Sequence, residues 1–441
     1  MTTNHESQLH KFDMLVQPGR AHRSIYVDDD IFAEEMSKIF GGTWVFLVHE
    51  SQIAEPNDFV TTRLGLRSLI VTRDQDGAIH AFLNRCSHRA STVCQEEDGN
   101  AKRFTCGYHG WTYSNTGALV GLPYPNGYPI DFDRSDRGLH ALPRLASYRG
   151  FVFGSLNPDV PELDKWLGPA RPYLDYFIDR VPDGELEVRN SHRLRFKGNW
   201  KLAWDNAGDG LHATYTHRSF ALLNDKLHGG GRSLTSFMHS PDDTGMFSED
   251  LGHGHMFLDQ RPGLKSSFWQ TQRPVPGTEA FEQTIVDQHG RDLADELLEM
   301  VPGSMINLSI FPNLLIKGNQ MEVVTPLATG ETELVLWVTA AKKAPDEVNT
   351  LRMRIAEDFT TIGNPDDIEM FERCQAGLMV PEVEWVDMSK GLGTEEIESR
   401  DGIQVRRSPV TYDTLMRGYL EEWKRLMATD VKLIATAVAV R

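Results

Sequence analysis

The sequence predicts an α+β protein in which an N-terminal all-β domain precedes a C-terminal domain of antiparallel strands and helices. Three observations predict it. Short strand-like runs separated by Asn, Asp and Gly turns fill the stretch from residue 44 to residue 156. Two Cys-plus-His pairs fall inside that stretch. Beyond Asn157-Pro158, helical spacings alternate with a block of consecutive strand-like runs. The expected divisions are 1–42, an arm and a helix; 43–158, the β domain; and 159–441, the larger domain.

Residues 1–25 read as a loose arm. Asp28-Asp29-Asp30 then opens a helix running to Phe40. Acidic residues complement its first turn, and Gly41-Gly42 suits its end. Strand runs follow at Trp44–Val48, Phe59–Thr62, Ser68–Thr72 and Ala78–Phe82, with turns at Pro56-Asn57-Asp58 and Asp74–Gly77. Asn115-Thr116-Gly117 makes another turn, and Phe151–Leu156 reads as the last strand of this domain.

The metal loops sit between these strands. Cys86-Ser87-His88 and Cys106-Gly107-Tyr108-His109 supply two thiolates and two imidazoles. That donor set suits a tetrahedral zinc ion, or a [2Fe–2S] cluster in which two His replace two Cys on one iron. Three details favour the cluster. C-x-H is tighter than a zinc knuckle. Each pair mixes one sulfur with one nitrogen, so each loop can reach both irons. Gly107 and Gly110 let backbone N–H groups approach sulfide. A zinc ribbon is the bland alternative. Gly121-Leu122-Pro123 is placed to close over the loops, and Cys94, between the pairs, reads as a packing residue.

In the second half, helical spacing covers Pro161–Val181, a long strand Glu185–Lys197, and a helix Trp200–Tyr215. Met305–Pro312, Leu314–Lys317, Met321–Pro326 and Thr332–Thr339 read as consecutive antiparallel strands. Helices are expected at Val348–Phe359, Asp366–Cys374 and Tyr412–Met427. A curved sheet gripping a helix, with a cavity between, fits this order.

The stretch Asn199–His217 carries unusual polarity for a buried helix. Asp205, Asp209 and His212 can share one face at spacings of four and three. His212 and His217, five apart, lie ~140° apart on a straight helix, too far for one metal. The chain must therefore break or bulge between them, or the two are ordinary polar residues at a helix end.

The pattern C-x-H…C-x-x-H resembles the Rieske motif. N-W-K…D-N-x-x-x-D-x-x-H-x-x-x-x-H resembles the mononuclear iron motif of the large (alpha) subunits of Rieske aromatic-ring-hydroxylating oxygenases. The likeness covers nearly the whole chain, including Phe311–Leu314 and Arg417–Trp423. It implies a Rieske domain followed by a helix-grip catalytic domain. Cys86 and Cys106 would hold one iron of the cluster, and His88 and His109 the other. His212 and His217 would bind Fe(II), Asp209 would be a bridging carboxylate, and Asn206 a near-site amide. The third ligand of a facial triad would be the second Asp of Pro365-Asp366-Asp367, namely Asp367; at a helix start, these acids also simply complement the dipole.

The resemblance further implies O₂-dependent hydroxylation of an aromatic compound. Electrons would come from NAD(P)H through a reductase, with or without an intervening ferredoxin. The assembly would be a ring-shaped homotrimer, or three alpha with three small beta subunits, and His109 of one chain would reach Asp209 of the next. The short approach Gly363–Asp367 resembles members acting on aromatic carboxylates, benzoate- or salicylate-like, for which Lys317 and Lys390 are the candidate cations. The rivals are an O- or N-demethylase or monooxygenase of the same superfamily and, in another class, a non-catalytic Rieske electron carrier.

Composition sets outer bounds. A net charge of −18 over 441 residues argues against a nucleic-acid surface. No apolar run approaches the ~18 residues of a membrane span. The polar start Met1–Ser7 carries no signal core, so a cytoplasmic location is expected. Four cysteines, two in the motif, make no disulfide framework and leave Cys94 and Cys374 as reduced thiols. His253-Gly254-His255 reads as an exposed loop over the active-site mouth, and His228-Gly229-Gly230-Gly231 as a flexible loop.

Overall fold

A computed structural model describes residues 11–227, 241–264, 278–299, 306–434 and 436–437. The chain forms two compact units. One comprises residues 35–163 and 430–441; the other comprises 1–34 and 164–429. The chain thus passes between them three times. No described helix is long and apolar enough to cross a membrane.

The smaller unit is built from antiparallel strands. Asp58–Leu64, Arg67–Arg73 and Ile79–Leu83 form the centre of a six-stranded sheet. Its burial alternates poorly because the central strand Arg67–Arg73 is covered on both faces, with Leu69, Ile70 and Val71 all buried. A three-stranded sheet, Arg144–Tyr148, Phe151–Ser155 and Val45–His49, packs with it, and a small sheet of Arg103–Thr105, Thr112–Ser114 and Leu119–Gly121 carries the second Cys/His pair at a hairpin tip. The returning tail closes the unit. Thr436–Ala437 pairs with His140–Ala141, and Ile434 N–H donates to Leu156 C=O. Leu433 lies so close to Gly41 that a Cβ there would meet it at 2.8 Å.

The larger unit is organised on nine antiparallel strands. Their spatial order is Leu186–Phe196, Glu331–Ala341, Gln320–Ala328, Leu314–Lys317, Ile306–Ile310, Met256–Asp259, Phe247–Asp250, Ile403–Pro409 and Glu396–Arg400. Helices Trp200–Ala207, Asp346–Asp358, Asn364–Leu378 and Thr414–Met427 belong to the same unit. Trp200, Trp204, Phe311 and Trp423 are buried in its core. The sheet plus helices match the helix-grip expectation.

Several local expectations are corrected. The described part of the arm carries regular structure: Val16–Gln17 and Arg20–His22 form a hairpin whose second strand pairs with Trp385–Asp387. In the nine-stranded sheet, four strands escaped the sequence reading, Phe247–Asp250, Met256–Asp259, Glu396–Arg400 and Ile403–Pro409. His253-Gly254-His255 is no exposed loop. It is the tight hairpin turn between two of those strands, with His255 fully buried. The His255 Nδ1 accepts from Phe311 N–H at 3.0 Å, which leaves Nε2–H to donate to Trp166 C=O at 2.9 Å. The His228–Gly231 segment lies outside the described residues.

Candidate metal centres

The two Cys/His loops share one backbone design. In the first, Ala90 N–H closes onto Cys86 C=O at 3.1 Å; in the second, Gly110 N–H closes onto Cys106 C=O at 2.9 Å. The closing residue has positive φ in both, 63° at Ala90 and 71° at Gly110. Glycine enters that region without a steric cost, whereas alanine does not. At Gly110 there is a second reason, because a Cβ would meet Pro123 at 2.8 Å. Pro123 therefore does lie against the second loop. Asn84 fixes the first loop, accepting from the Val93 and Cys94 N–H groups and donating to Cys94 C=O.

Cys86 and Cys106 are buried in one cluster with Phe59, Ile70, Phe82 and Trp111. Cys94 is in the same cluster as a packing residue. The His88 and His109 rings lie 4.6 Å apart, and the indole of Trp111 stacks on His88 at 4.9 Å and 5°. His88 Nδ1 is buried without a hydrogen-bonding partner. The Tyr113 hydroxyl approaches Cys86 Sγ to 3.1 Å and accepts from Ser87 N–H. Burial, chiefly, raises the Tyr113 pKa, so the phenol keeps its proton to donate to a thiolate. The sequence reading missed Tyr113. Its signal is positional: it is the inward residue of the strand that leaves the second Cys/His pair.

The second centre is assembled from distant segments. The expected helix Trp200–Tyr215 is two, Trp200–Ala207 and His212–Thr216, broken at Gly208–Leu211. This first break precedes His212, and a second interruption falls at His217, as the spacing of the two histidines required. Gly210 explains the first: its backbone approaches Val410 so closely that a Cβ would meet Val410 at 2.4 Å. Asp209 then caps the new helix, its Oδ1 accepting from Leu211 N–H at 2.6 Å and His212 N–H at 3.3 Å. The shared face expected for Asp205, Asp209 and His212 does not form. The second helix ends at Thr216, and His217 sits at the bend (φ −95°, ψ 19°) before the next helix begins at Arg218. That bend turns the two imidazoles toward one point.

Asp367 meets them from another element. The helix Asp346–Asp358 widens into a π-type turn at Phe359–Gly363 before Asn364–Leu378 begins. Such turns recur at functional sites. Gly363 permits this one, since a Cβ there would meet the Phe359 ring at 2.5 Å, and that ring packs 5.3 Å from His217.

His212, His217 and Asp367 can each offer one ligand atom, all within 4.8 Å of one another. Asp367 Oδ1 is 3.2 Å from His217 Nε2, 3.7 Å from His212 Nε2 and 3.0 Å from the Asn206 amide that donates to it. The outer nitrogens face carboxylates. His212 Nδ1 is 3.9 Å from Asp209, and His217 Nδ1 is 3.8 Å from Asp366. Asp366 and Asp367 thus separate into an outer and an inner carboxylate.

The donor set fits a divalent ion. His217 Nε2, which faces Asp367, is buried without a hydrogen-bonding partner, at a cost of about 1–3 kcal/mol that an ion would offset. Burial keeps the His212 imidazole neutral against the pull of Asp367 and Asp209. Burial opposes ionisation of Asp367, but His217, His212 and Lys317 outweigh it and hold its pKa below the usual range. Two imidazoles and one carboxylate form a facial triad suited to ferrous iron.

Asp205 has a different task. Tyr26 donates to its Oδ2 at 3.0 Å and Tyr419 to its Oδ1. Its surroundings, burial first, raise its pKa to about 6. It fastens the helix that carries Asn206. Of the two candidate lysines, Lys390 donates to Thr411 at 2.7 Å and lies over Tyr412. Lys317 is buried on the central sheet, 3.2 Å from Glu322.

Comparison with known proteins identifies the family of both parts of the chain. Residues 43–146 match the Rieske [2Fe-2S] domain, and residues 183–427 match the ring hydroxylating alpha subunit (catalytic domain). The chain is 36% identical to the 2-halobenzoate 1,2-dioxygenase large subunit of Burkholderia cepacia, over 84% of this chain and 80% of that one. It is 32% identical to the anthranilate 1,2-dioxygenase large subunit of Acinetobacter baylyi, over 92% and 89%. Among solved structures, naphthalene 1,2-dioxygenase from Rhodococcus sp. bound to indole superposes with a TM-score of 0.75 at 30% identity, over 97% and 98%. A phenanthrene-bound variant of naphthalene 1,2-dioxygenase shares the fold with a TM-score of 0.80 at 24% identity, over 95% of each chain.

Proposed function

The chain belongs to the alpha subunits of the ring-hydroxylating oxygenases, and from that membership we infer that it dihydroxylates an aromatic carboxylate. It contains a Rieske [2Fe–2S] cluster and a non-haem iron. The overall reaction balances as arene, O₂, NAD(P)H and one proton giving a cis-dihydrodiol and NAD(P)⁺. When bound, the cluster carries single electrons and the ferrous ion offers open positions for O₂ beside the substrate.

Cys86, His88, Cys106 and His109 hold the cluster, and Tyr113 donates to Cys86 Sγ. His212, His217 and Asp367 hold the iron, Asn206 orients Asp367, and Asp209 faces the outer nitrogen of His212. The observation that carries this reading is the convergence of three ligand atoms within 4.8 Å, in a chain that also carries the two Cys/His loops. A bare electron carrier has no use for the triad.

Asp209 is the electron link. His109 of the partner subunit reaches it in a ring-shaped assembly of three alpha subunits. A reductase, through a ferredoxin, and a small beta subunit complete the system. The aromatic-acid assignment is supported by the 2-halobenzoate, toluate and anthranilate dioxygenases among the relatives.

Anaerobically purified protein is expected to hold about three irons and two sulfides per chain. Asp209→Asn is expected to keep both metals, measured by iron and sulfide content and by the visible spectrum, while product formation from a benzoate stops. Normal product formation by that variant would remove the link. About two irons per chain, with no gain on adding Fe(II), would remove the triad.

A further inference from the structure

Lys317 and Glu322 form a buried ion pair on the hairpin of Leu314–Lys317 and Gln320–Ala328. Their side chains are only 13% and 5% exposed. Lys317 stands opposite Gln320, and Leu315 opposite Glu322, so all four share one face of the sheet. Gln320 shows what covers that face. Its amide donates to Ala356 C=O and to Thr360 Oγ1, on the segment that leads through the π-type turn to Asp367. The pair therefore lies on the sheet face covered by the segment that leads to Asp367 of the triad. They also feel one another: burial depresses the Lys317 pKa, but Glu322 and Asp367 outweigh it and raise it.

A buried ion pair is a poor source of stability, since desolvation cancels most of the attraction. Specificity is the better reason for one beside a reaction centre. An ammonium has three donors, and Glu322 engages it from one side. A carboxylate ionised beside it is an acceptor only. A bare benzoate would satisfy Lys317 but set its own charge against Glu322. A neutral arene would leave the pair's remaining donors and acceptors without partners. An aromatic acid with an N–H or O–H ortho to its carboxylate meets both ends.

We propose that Lys317 and Glu322 together read the substrate's polar edge, Lys317 donating to its carboxylate and Glu322 accepting from an adjacent amino or hydroxyl group. The assignment deepens the oxygenase reading and rests on it. A site built to receive a donor rejects the analogue lacking one strongly, by up to ~10⁴-fold. Opposed charge adds to the discrimination.

The test is calorimetric binding of 2-aminobenzoate, benzoate and toluene to the anaerobic holoprotein, with metal content confirmed. Wild type is expected to bind 2-aminobenzoate at least ~10-fold tighter than benzoate, and benzoate tighter than toluene. Glu322→Gln is expected to shrink the first ratio by strengthening benzoate. Lys317→Met alone strands a buried Glu322 and risks misfolding, so the second variant is Lys317→Met with Glu322→Leu, a like-sized apolar replacement. It is expected to lose both acids and bind toluene more tightly. If that double variant binds 2-aminobenzoate as wild type does, the proposal is overturned. Equal wild-type affinity for benzoate and 2-aminobenzoate overturns it too. If the fully metallated wild type binds acids in the expected order but oxygenates none of these arenes when given reductant and O₂, the oxygenase reading fails while the recognition of the acid stands.

Discussion

The two metal centres are built on opposite principles. The Cys/His loops lie within residues 86–110, one following the strand Ile79–Leu83 and the other at the hairpin of Arg103–Thr105 and Thr112–Ser114, and each loop is closed by its own backbone bond. The triad draws His212 and His217 from one broken helix and Asp367 from another, brought together only by tertiary packing. One centre is a local structure. The other exists only when the large unit is folded. Damage to the fold should therefore strip the mononuclear iron before the cluster, and second-layer residues should matter in different currencies, affinity in one centre and potential in the other.

Asp367→Ala breaks the comparison most sharply. Product formation should vanish and iron should fall by about one per chain, with sulfide and the visible spectrum unchanged. Loss of the cluster spectrum as well would show that the centres do not fold independently. Asn206→Ala sharpens it. Without the amide that orients Asp367 Oδ1, Fe(II) affinity should fall about 10–100-fold, measured by equilibrium dialysis.

Acid titration compares the same two units. His49 in the small unit and His255 in the large one are buried and neutral, with pKa values pushed by burial down to about 4 and about 3. The unfolded chain binds those protons near pH 6.5, so each histidine costs stability as pH falls from there toward its folded value. From pH 7 to 4.5 each should remove about 2–3 kcal/mol, read from the urea midpoint. Below pH 4 only the His255 contribution keeps growing, so the large unit should fail first. Tyr113→Phe is the smallest change. Removing the donor to Cys86 Sγ should lower the cluster potential in a spectroelectrochemical titration without altering Fe(II) affinity.

The same contrast governs what could be read in the sequence. The cluster loops were legible because ligands, turns and glycines are neighbours in the chain. The triad was legible only through resemblance, since no periodicity links residue 217 to residue 367. The break at Gly208–Leu211 was hidden because its cause, Val410, lies in the turn after the distant strand Ile403–Pro409. The strand Phe247–Asp250 was missed because Glu249 and Asp250 look like loop residues; both are buried, neutralised by Arg400 and Arg406. Asp366 and Asp367 could not be told apart until one pointed inward and the other toward the outer nitrogen of His217.

The returning tail has a consequence for anyone exchanging parts among relatives. The smaller unit is not one contiguous gene segment, because Ile434 and Thr436–Ala437 supply its outermost hydrogen bonds after the whole catalytic sequence has been read. A graft of residues 35–163 alone would carry the cluster ligands but leave His140–Ala141 as an open sheet edge, and such edges recruit other chains. During synthesis that edge waits for Thr436–Ala437 to emerge. A chimera should therefore import the tail with the domain, or it will make a protein that binds its cluster and still aggregates.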